Sequence, residues 1–377
     1  MEVIYSINAR FGGGGTGNTA LYAVLGPERA RQLKRVICSS NAQKEIPAQR
    51  VRTLGLVGRI MKRIAFADNS GRLNDWADRV FDFWSSAVLE PCDVLHCWSD
   101  LGRTLRRGKS LQAITIIECM MHPAALKSVL MGEAAKWGVR PADLPSDSRF
   151  RRSLNELESA DFITVPSEFN RRTHLEHGVP EHKVYVVPYG VDTQRFHPEL
   201  TASSPRPFRA LFVGNFSLRK GAPFILDAWN KLGWRDAELW IVGNVDADIR
   251  RLIHERWDRL PGVMYVGFHT DVAQLYSQVD VFLFPSLGEG SALVVYEAMA
   301  SGLPVIVTEN AGSLVRHNTD GEVVEPASSE AIAHSLEGMR ADSRRCREMG
   351  RNARERIEPY TWQSYGDRLV EVYTRLI

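Results

Sequence analysis

Short apolar runs rich in β-branched and aromatic residues alternate with helix-compatible stretches along this chain, and the series runs twice. In the first half the strand-like runs are 2–8, 35–39, 94–97, 113–118, 162–166 and the start of 184–192. Amphipathic helical stretches at 50–66, 73–90, 124–137, 148–160 and 168–177 lie between them. Residues 193–207 then break every period and gather Pro198, Ser203, Ser204, Pro205 and Pro207, the composition of a joint. Beyond it the series restarts, with strands at 209–213, 238–242, 263–266, 281–284 and 305–307 and helices at 223–232, 248–257 and 272–277. Alternation of this kind requires crossover connections, so each half is expected to form a parallel sheet covered on both faces. The fold class is α/β: two doubly wound, Rossmann-like domains facing a cleft, with ligands at the carboxyl ends of the strands.

A chain of 377 residues has room for two such cores. Basic residues exceed acidic ones over 1–190 and the reverse holds afterwards, for a net charge of only +2. That imbalance is too mild for nucleic acid to be the partner. No apolar run reaches the length of a membrane span, and the first residues carry Glu2 and lack a basic leader, so a cytoplasmic protein is expected. The five cysteines are odd in number and scattered, which suits free thiols; Cys92, His96 and Cys97 fit no zinc spacing. In 50–66, Arg50, Arg52, Arg59, Lys62 and Arg63 interleave with apolar residues, and Val57, Ile60, Met61 and Ile64 fall on one helical face. This is either a surface helix with snorkelling cations or a patch for peripheral contact with the inner face of a membrane or a lipid-linked acceptor.

Three stretches carry chemistry. Residues 284–307 read as strand, turn, helix, turn, strand, with Glu289 in the first turn and Glu297 two helical turns further on. Gly288 and Gly290 let the backbone approach a ligand, and Ser291 to Leu293 would present N–H groups of a helix N-terminus. Such a turn suits a ligand with hydroxyls and phosphates. At the end of the 209–213 strand, Arg219 and Lys220 stand just before a helix, where two cations could neutralise a diphosphate. Near the N-terminus, Gly12 to Gly15 and Gly17 form a loop between strand and helix; no Lys follows Gly17, so it is not a nucleotide P-loop, and it is either a substrate-facing or a plain connecting loop. Asp246-Ala247-Asp248 could hold a divalent metal, but it opens a helix, where Asp serves as a cap, and no metal is expected.

Taken in order, these stretches resemble the retaining glycosyltransferases of family 4, which have the GT-B fold. Val213-Gly214 with Arg219-Lys220-Gly221 is similar to that family's V-G-x-x-x-x-x-K-G loop. Glu289 through Glu297, trailed by Gly302, Pro304 and Val305, is similar to its E-x7-E signature. Asp161 through Ser167, Val187 to Asp192, and Asp320-Gly321 match further landmarks, so the likeness is strong over 160–377 and weak over 20–150. It implies an acceptor-side domain at 1–192, a linker at 193–207, a donor-binding domain at 208–360, and a final helix, 361–377, crossing back to the first domain.

The resemblance also implies residue roles. Arg219 and Lys220 would hold the donor diphosphate and stabilise the leaving group, and Glu297 would accept bonds from the ribose. Glu289, with the backbone of Gly290, Ser291, Ala292 and Leu293, would grip the transferred sugar. His122 would stand near the reacting sugar, and Gly14 and Gly15 would border the diphosphate and acceptor. The implied activity is hexosyl transfer from a nucleoside-diphosphate sugar, with retention and without a metal or other cofactor, to a hydroxyl of a glycan or lipid-linked acceptor, as in polysaccharide or glycolipid biosynthesis. One departure stands out: the family commonly reads E-G-F-G-L where this chain has Glu289-Gly290-Ser291-Ala292-Leu293. The rival readings are a nucleotide-sugar epimerase of the same fold and a catalytically degenerate binding subunit.

Overall fold

The computed structural model describes residues 1–66, 72–141, 144–198, 206–269 and 271–377, and within them the side chains of all but 59, 62–66 and 72. Arg59, Lys62, Arg63 and Ile64 of the basic–apolar stretch, and 199–205 of the joint, therefore lie outside what is described. The chain divides into two compact units. Unit 1 comprises Met1–Pro123, Pro145–Tyr189 and Trp362–Ile377; unit 2 comprises Ala124–Leu144 and Gly190–Thr361. Against a boundary at 192, unit 2 begins already at Gly190, and Ala124–Leu144 packs with it. Trp137 makes the reason plain, since its ring meets Phe224 edge-on at 5.5 Å and Trp257 at 5.8 Å.

Unit 1 contains strands β1 (Val3–Phe11), β2 (Leu33–Asn41), β3 (Val51–Thr53), β4 (Val94–Trp98), β5 (Ile114–Glu118), β6 (Phe162–Val165) and β7 (Val184–Val186). They form one parallel sheet in the order β3-β2-β1-β4-β5-β6-β7. Val3, Ile4 and Tyr5 of β1 and Val94 to Cys97 of β4 are buried, the signature of strands covered on both faces. Helices α1 (Gly14–Arg29), α2 (Gly55–Phe66), α3 (Arg72–Val88), α4 (Gly102–Ser110), the start of α5 (Pro123–Trp137), α6 (Asp147–Ser159) and α7 (Glu168–Glu176) follow in chain order. Two differences from the sequence reading have physical causes. Val51 and Thr53 extend an edge strand beside β2, because β-branched residues gain more from pairing than from starting a helix, so the helix begins only at Gly55. Helix α4 is missed because its surface is so basic that only Thr104, Leu105 and Gly108 reach the core.

Unit 2 contains β8 (Phe208–Val213), β9 (Ala237–Val242), β10 (Val263–Gly267), β11 (Val281–Phe284), β12 (Val305–Thr308) and β13 (Gly321–Val324) in the parallel order β10-β9-β8-β11-β12-β13. Its helices are α8 (Ala222–Leu232), α9 (Ala247–Arg256), α10 (Ala273–Tyr276), α11 (Leu293–Ala300), α12 (Ser329–Ala341) and α13 (Ser343–Ile357). The last helix, α14 (Trp362–Leu376), belongs to unit 1 and crosses α1 where Gly26 and Gly366 meet. A Cβ on Gly366 would stand 2.9 Å from the Cα of Gly26, and Tyr22 stacks on Trp362 at 4.4 Å. Each sheet reverses its strand order once, between β1 and β4 in unit 1 and between β8 and β11 in unit 2. In open α/β sheets those reversals are where ligands bind.

Candidate active site

The reversal in unit 2 brings together the two stretches that the sequence separates by seventy residues. The loop after β8 and the turn after β11 are stitched by backbone: the Leu287 N–H donates to the Arg219 carbonyl at 2.7 Å, and Ser286 Oγ donates to the same oxygen at 2.9 Å. Gly221 makes the approach feasible. It has φ +84°, and a Cβ there would lie 2.3 Å from the Pro285 carbonyl oxygen. On this frame Arg219 Nη1 donates to Glu289 Oε1 at 2.6 Å and to the Gly288 carbonyl at 3.1 Å. The Lys220 ammonium pairs with the same Glu289 oxygen and lies 5.1 Å from the centre of the Phe284 ring. Two cations thus converge on one carboxylate, leaving a net positive charge for an anion to meet.

The backbone donors are fewer than the sequence suggests. The Glu289 N–H donates to the Asn310 carbonyl at 2.9 Å and the Ala292 N–H to the Ala311 carbonyl at 3.1 Å. Among the described residues, the N–H groups of Ser291 and Leu293 take no such carbonyl. Ser291 Oγ is buried and has no hydrogen-bond partner among the described residues. Ala292, directly before α11, has φ −72°, an ordinary value that no glycine is needed to reach. Glu297, in the second turn of α11, accepts from Tyr276 Oη at 3.2 Å. Burial pushes its carboxyl up to about 7, against the pull of the Tyr276 hydrogen bond and of Arg195. Asp246 and Asp248 both have protein partners: Asp246 accepts from Asn215 Nδ2 at 2.6 Å and Asp248 from the Arg140 N–H at 2.7 Å.

In unit 1 the reversal opens a cavity of about 1260 Å³. Gly15 and Gly17 line it on one side and Trp98, Ser99 and Asp100, at the end of β4, on another. Gly17 is required by the fold, because a Cβ there would stand 2.0 Å from the Arg10 carbonyl oxygen. Gly14 and Gly15 face open space. His122 lies two residues beyond Met120, which lines the cavity. It is buried, its backbone N–H donates to Thr173 Oγ1 at 3.0 Å, and its ring stacks on His177 at 4.4 Å and meets His174 edge-on at 5.3 Å. Burial, reinforced by these imidazoles, pushes it down to about 4, so it is neutral at physiological pH.

Four polar residues of this cavity escape a sequence reading: Asn8, Asp78, Asp100 and Arg149. Arg149 donates through Nε and Nη2 to Asp100 Oδ2 at 2.9 and 2.6 Å, and Asn8 Nδ2 donates to Asp78 Oδ1 at 2.6 Å. They come from four separate elements, so no spacing links them. The one local signal is Ser99-Asp100 at the end of an apolar strand.

Two family profiles match the chain: Glycosyltransferase Family 4 over residues 30–195 and Glycosyl transferases group 1 over 207–342. The chain belongs to the glycosyltransferases of these families. Among curated relatives, this glycosyltransferase is 27% identical over 305 residues to an uncharacterized glycosyltransferase of Methanocaldococcus jannaschii, covering 76% of each chain. It is 29% identical over 306 residues to the MMP α-(1→4)-mannosyltransferase of Mycolicibacterium hassiacum, covering 76% of this chain and 71% of that one. The structure of Anabaena HepE in complex with UDP superposes on the glycosyltransferase with TM-score 0.71 at 17% identity, covering all of both chains. Its fold is accordingly that of the GT-B enzymes.

Proposed function

We propose that the glycosyltransferase moves a hexosyl group, with retention, from a nucleoside-diphosphate sugar bound on unit 2 to an acceptor hydroxyl of a glycan or lipid-linked molecule. The observation that carries this reading is the convergence of Arg219 and Lys220 on Glu289 at the β8/β11 reversal. There the two cations meet the diphosphate, Glu289 and the nearby N–H groups meet the sugar, and Glu297 meets the ribose. HepE, of the same fold, was solved with UDP-glucose, which makes UDP-sugars the first donors to try.

In the reaction the bond between the anomeric carbon and the β-phosphate oxygen breaks, and the acceptor oxygen bonds to that carbon on the same face. The acceptor proton passes to the departing phosphate oxygen, so no protein base is required. Arg219 and Lys220 stabilise the negative charge that develops on the phosphate, and no metal ion is needed for that task. Catalysis is then mainly positioning and electrostatics. His122, being neutral, serves as a hydrogen-bonding group rather than an acid.

We place the enzyme in the cytoplasm, in peripheral contact with a membrane through the 50–66 stretch. No helix among the described residues is long and apolar enough to cross a membrane. Met61 turns into the core, while Leu56, Val57 and Ile60 stay exposed.

The deciding experiment incubates the purified protein with a panel of nucleotide sugars in excess chelator, following nucleoside diphosphate release and the anomeric signal of the product. Release of nucleoside diphosphate and an α product from an α donor are expected. Inversion, or activity only with added divalent metal, contradicts the mechanism. Absence of any nucleotide binding in a thermal-shift panel contradicts the function, because ligand at ~100 times Kd stabilises by about 2.7 kcal/mol.

A further inference from the structure

The last turn of α7 and its cap hold the loop that carries His122 at its backbone and at its ring. The Thr173 hydroxyl accepts from the His122 N–H at 3.0 Å and donates to the Asn170 carbonyl at 2.7 Å, so its hydrogen is already committed. His174 Nε2 meets the Met120 carbonyl at 2.9 Å. His177 Nδ1 meets the Thr173 carbonyl at 2.8 Å, and the His177 ring lies on that of His122 with centroids 4.4 Å apart and an interplanar angle of 20°. A carbonyl only accepts, so His174 carries a hydrogen on Nε2 and His177 one on Nδ1. The helix end makes the second bond available. The His177 N–H goes to the His174 carbonyl at 3.1 Å, which leaves the Thr173 carbonyl to orient the His177 ring.

This anchoring meets a local need. The chain passes from unit 1 into unit 2 between Pro123 and Ala124, directly after His122, so the segment that follows His122 packs elsewhere. A side chain in that position keeps a fixed place in unit 1 only if unit 1 holds it. Thr173 and His174 are buried and belong to the frame of the unit. His177 is exposed, so its ring adds little to the core, and what its bond and its stack do is fix the plane of the buried His122 ring. Burial pushes His174 down to about 4, as it does His122, so the ring edge-on to His122 brings no charge beside it.

We propose that Thr173 and His177 are positioning residues for His122: Thr173 fixes its backbone and His177 the plane of its ring, so that the imidazole is aimed for its hydrogen bond to the reacting sugar. The inference rests on the transferase reading above and on the hydrogen-bonding role given there to His122, and extends that role to the end of α7.

The test measures kcat, the KM for the nucleotide sugar and the melting temperature of the full chain and its variants. His177→Ala is expected to lower kcat about tenfold or more, because a misplaced group costs rate rather than binding, with KM and melting temperature close to the parent's. His177→Phe returns a flat ring to the stack and should recover most of that loss. Thr173→Ser keeps the hydroxyl and should stay near the parent, whereas Thr173→Val, of nearly the same shape, should lose kcat. The decisive comparison is made in the His122→Asn background: there His177→Ala should change kcat by no more than about twofold, because the residue it positions is gone. Unchanged kcat in His177→Ala, no recovery by His177→Phe, equal losses in Thr173→Ser and Thr173→Val, or losses that multiply with His122→Asn each overturn the proposal. If the parent transfers sugar and His122→Asn transfers it equally well, only this inference falls. If the parent binds no nucleotide sugar, the transferase reading falls and takes this inference with it.

Discussion

Tyr365 Oη donates a hydrogen bond to Glu118 Oε1 at 3.2 Å, across 247 positions of sequence. Tyr5 and Tyr189 donate to the same carboxylate, at 2.9 and 3.0 Å. Glu118 ends β5, Tyr189 is the last residue of unit 1 before the chain passes to unit 2, and Tyr365 lies one turn into α14, just after the chain returns. One buried carboxylate therefore fastens both crossings to the centre of the first sheet.

That carboxylate predicts a pH dependence of stability. Burial pushes Glu118 up to about 7, with the three tyrosine hydroxyls pulling it back. An unfolded glutamate titrates near ~4.3, so the native state holds the proton more tightly, and this contribution fades as pH rises through 7. Replacing Glu118 by Gln removes that slope. The stability of Glu118→Gln relative to the parent should rise between pH 5 and 8, by on the order of 3 kcal/mol. Calorimetric melting of both proteins across that range checks it; parallel curves would show that Glu118 is ionised at neutral pH.

Arg219→Ala and Lys220→Ala should each lower turnover on the order of hundreds-fold, or ~3–4 kcal/mol of barrier, with little change in melting temperature. Because both cations share Glu289, their losses should not add, and the double variant should fall well short of the product. Steady-state kinetics on the three variants decides it. Near-parental transfer by both single variants removes the diphosphate assignment.

The parallel sheets were readable because each buried strand is an apolar run, and the two doubly wound halves followed from alternation around 193–207. The stretches that hold Arg219, Lys220, Glu289 and Glu297 were readable for a related reason: each of these residues sits at a fixed offset from a strand end, so a local motif carries it. What stayed hidden is non-local. Asp100 and Arg149 are separate in sequence and meet only because α6 packs against α4, just after the loop that holds Asp100. The pairing of Glu289 with both cations was equally invisible, since spacing gives no orientation. Val51 and Thr53 were misassigned because three residues are too few to show a period.

Two glycines of the first loop separate fold from ligand. Gly17→Ala must displace the Arg10 carbonyl and should yield little folded protein. Gly15→Ala meets nothing within 4 Å and falls in the first turn of α1, so it should raise stability by roughly 0.5–1 kcal/mol. If Gly15 borders the donor and acceptor, the same variant loses kcat/KM despite its higher melting temperature. Unchanged kinetics would make the loop a plain connection.

Ala292→Gly tests the departure from E-G-F-G-L. Nothing in the backbone at φ −72° favours glycine, so the change should cost about 0.5–1 kcal/mol of stability. Removing the methyl widens the turn beside Glu289, and the range of nucleotide sugars accepted should broaden. Competition assays with pairs of donors read this directly; an unaltered preference places the sugar away from Ala292.

His122 sets the last prediction. Its imidazole is pushed down to about 4, so it stays neutral from pH 5.5 to 8 and no limb of the rate profile in that range belongs to it. Stability follows the opposite sign from Glu118: below ~6.5 the unfolded histidine takes up a proton that the native one refuses, so stability falls as pH drops from there toward 4. His122→Asn should keep the shape of the pH–rate profile while lowering its height, because the amide can still donate a hydrogen bond but is differently placed. Loss of a limb near pH 6 to 7 in that variant would mean that His122 titrates during turnover and acts as an acid or base.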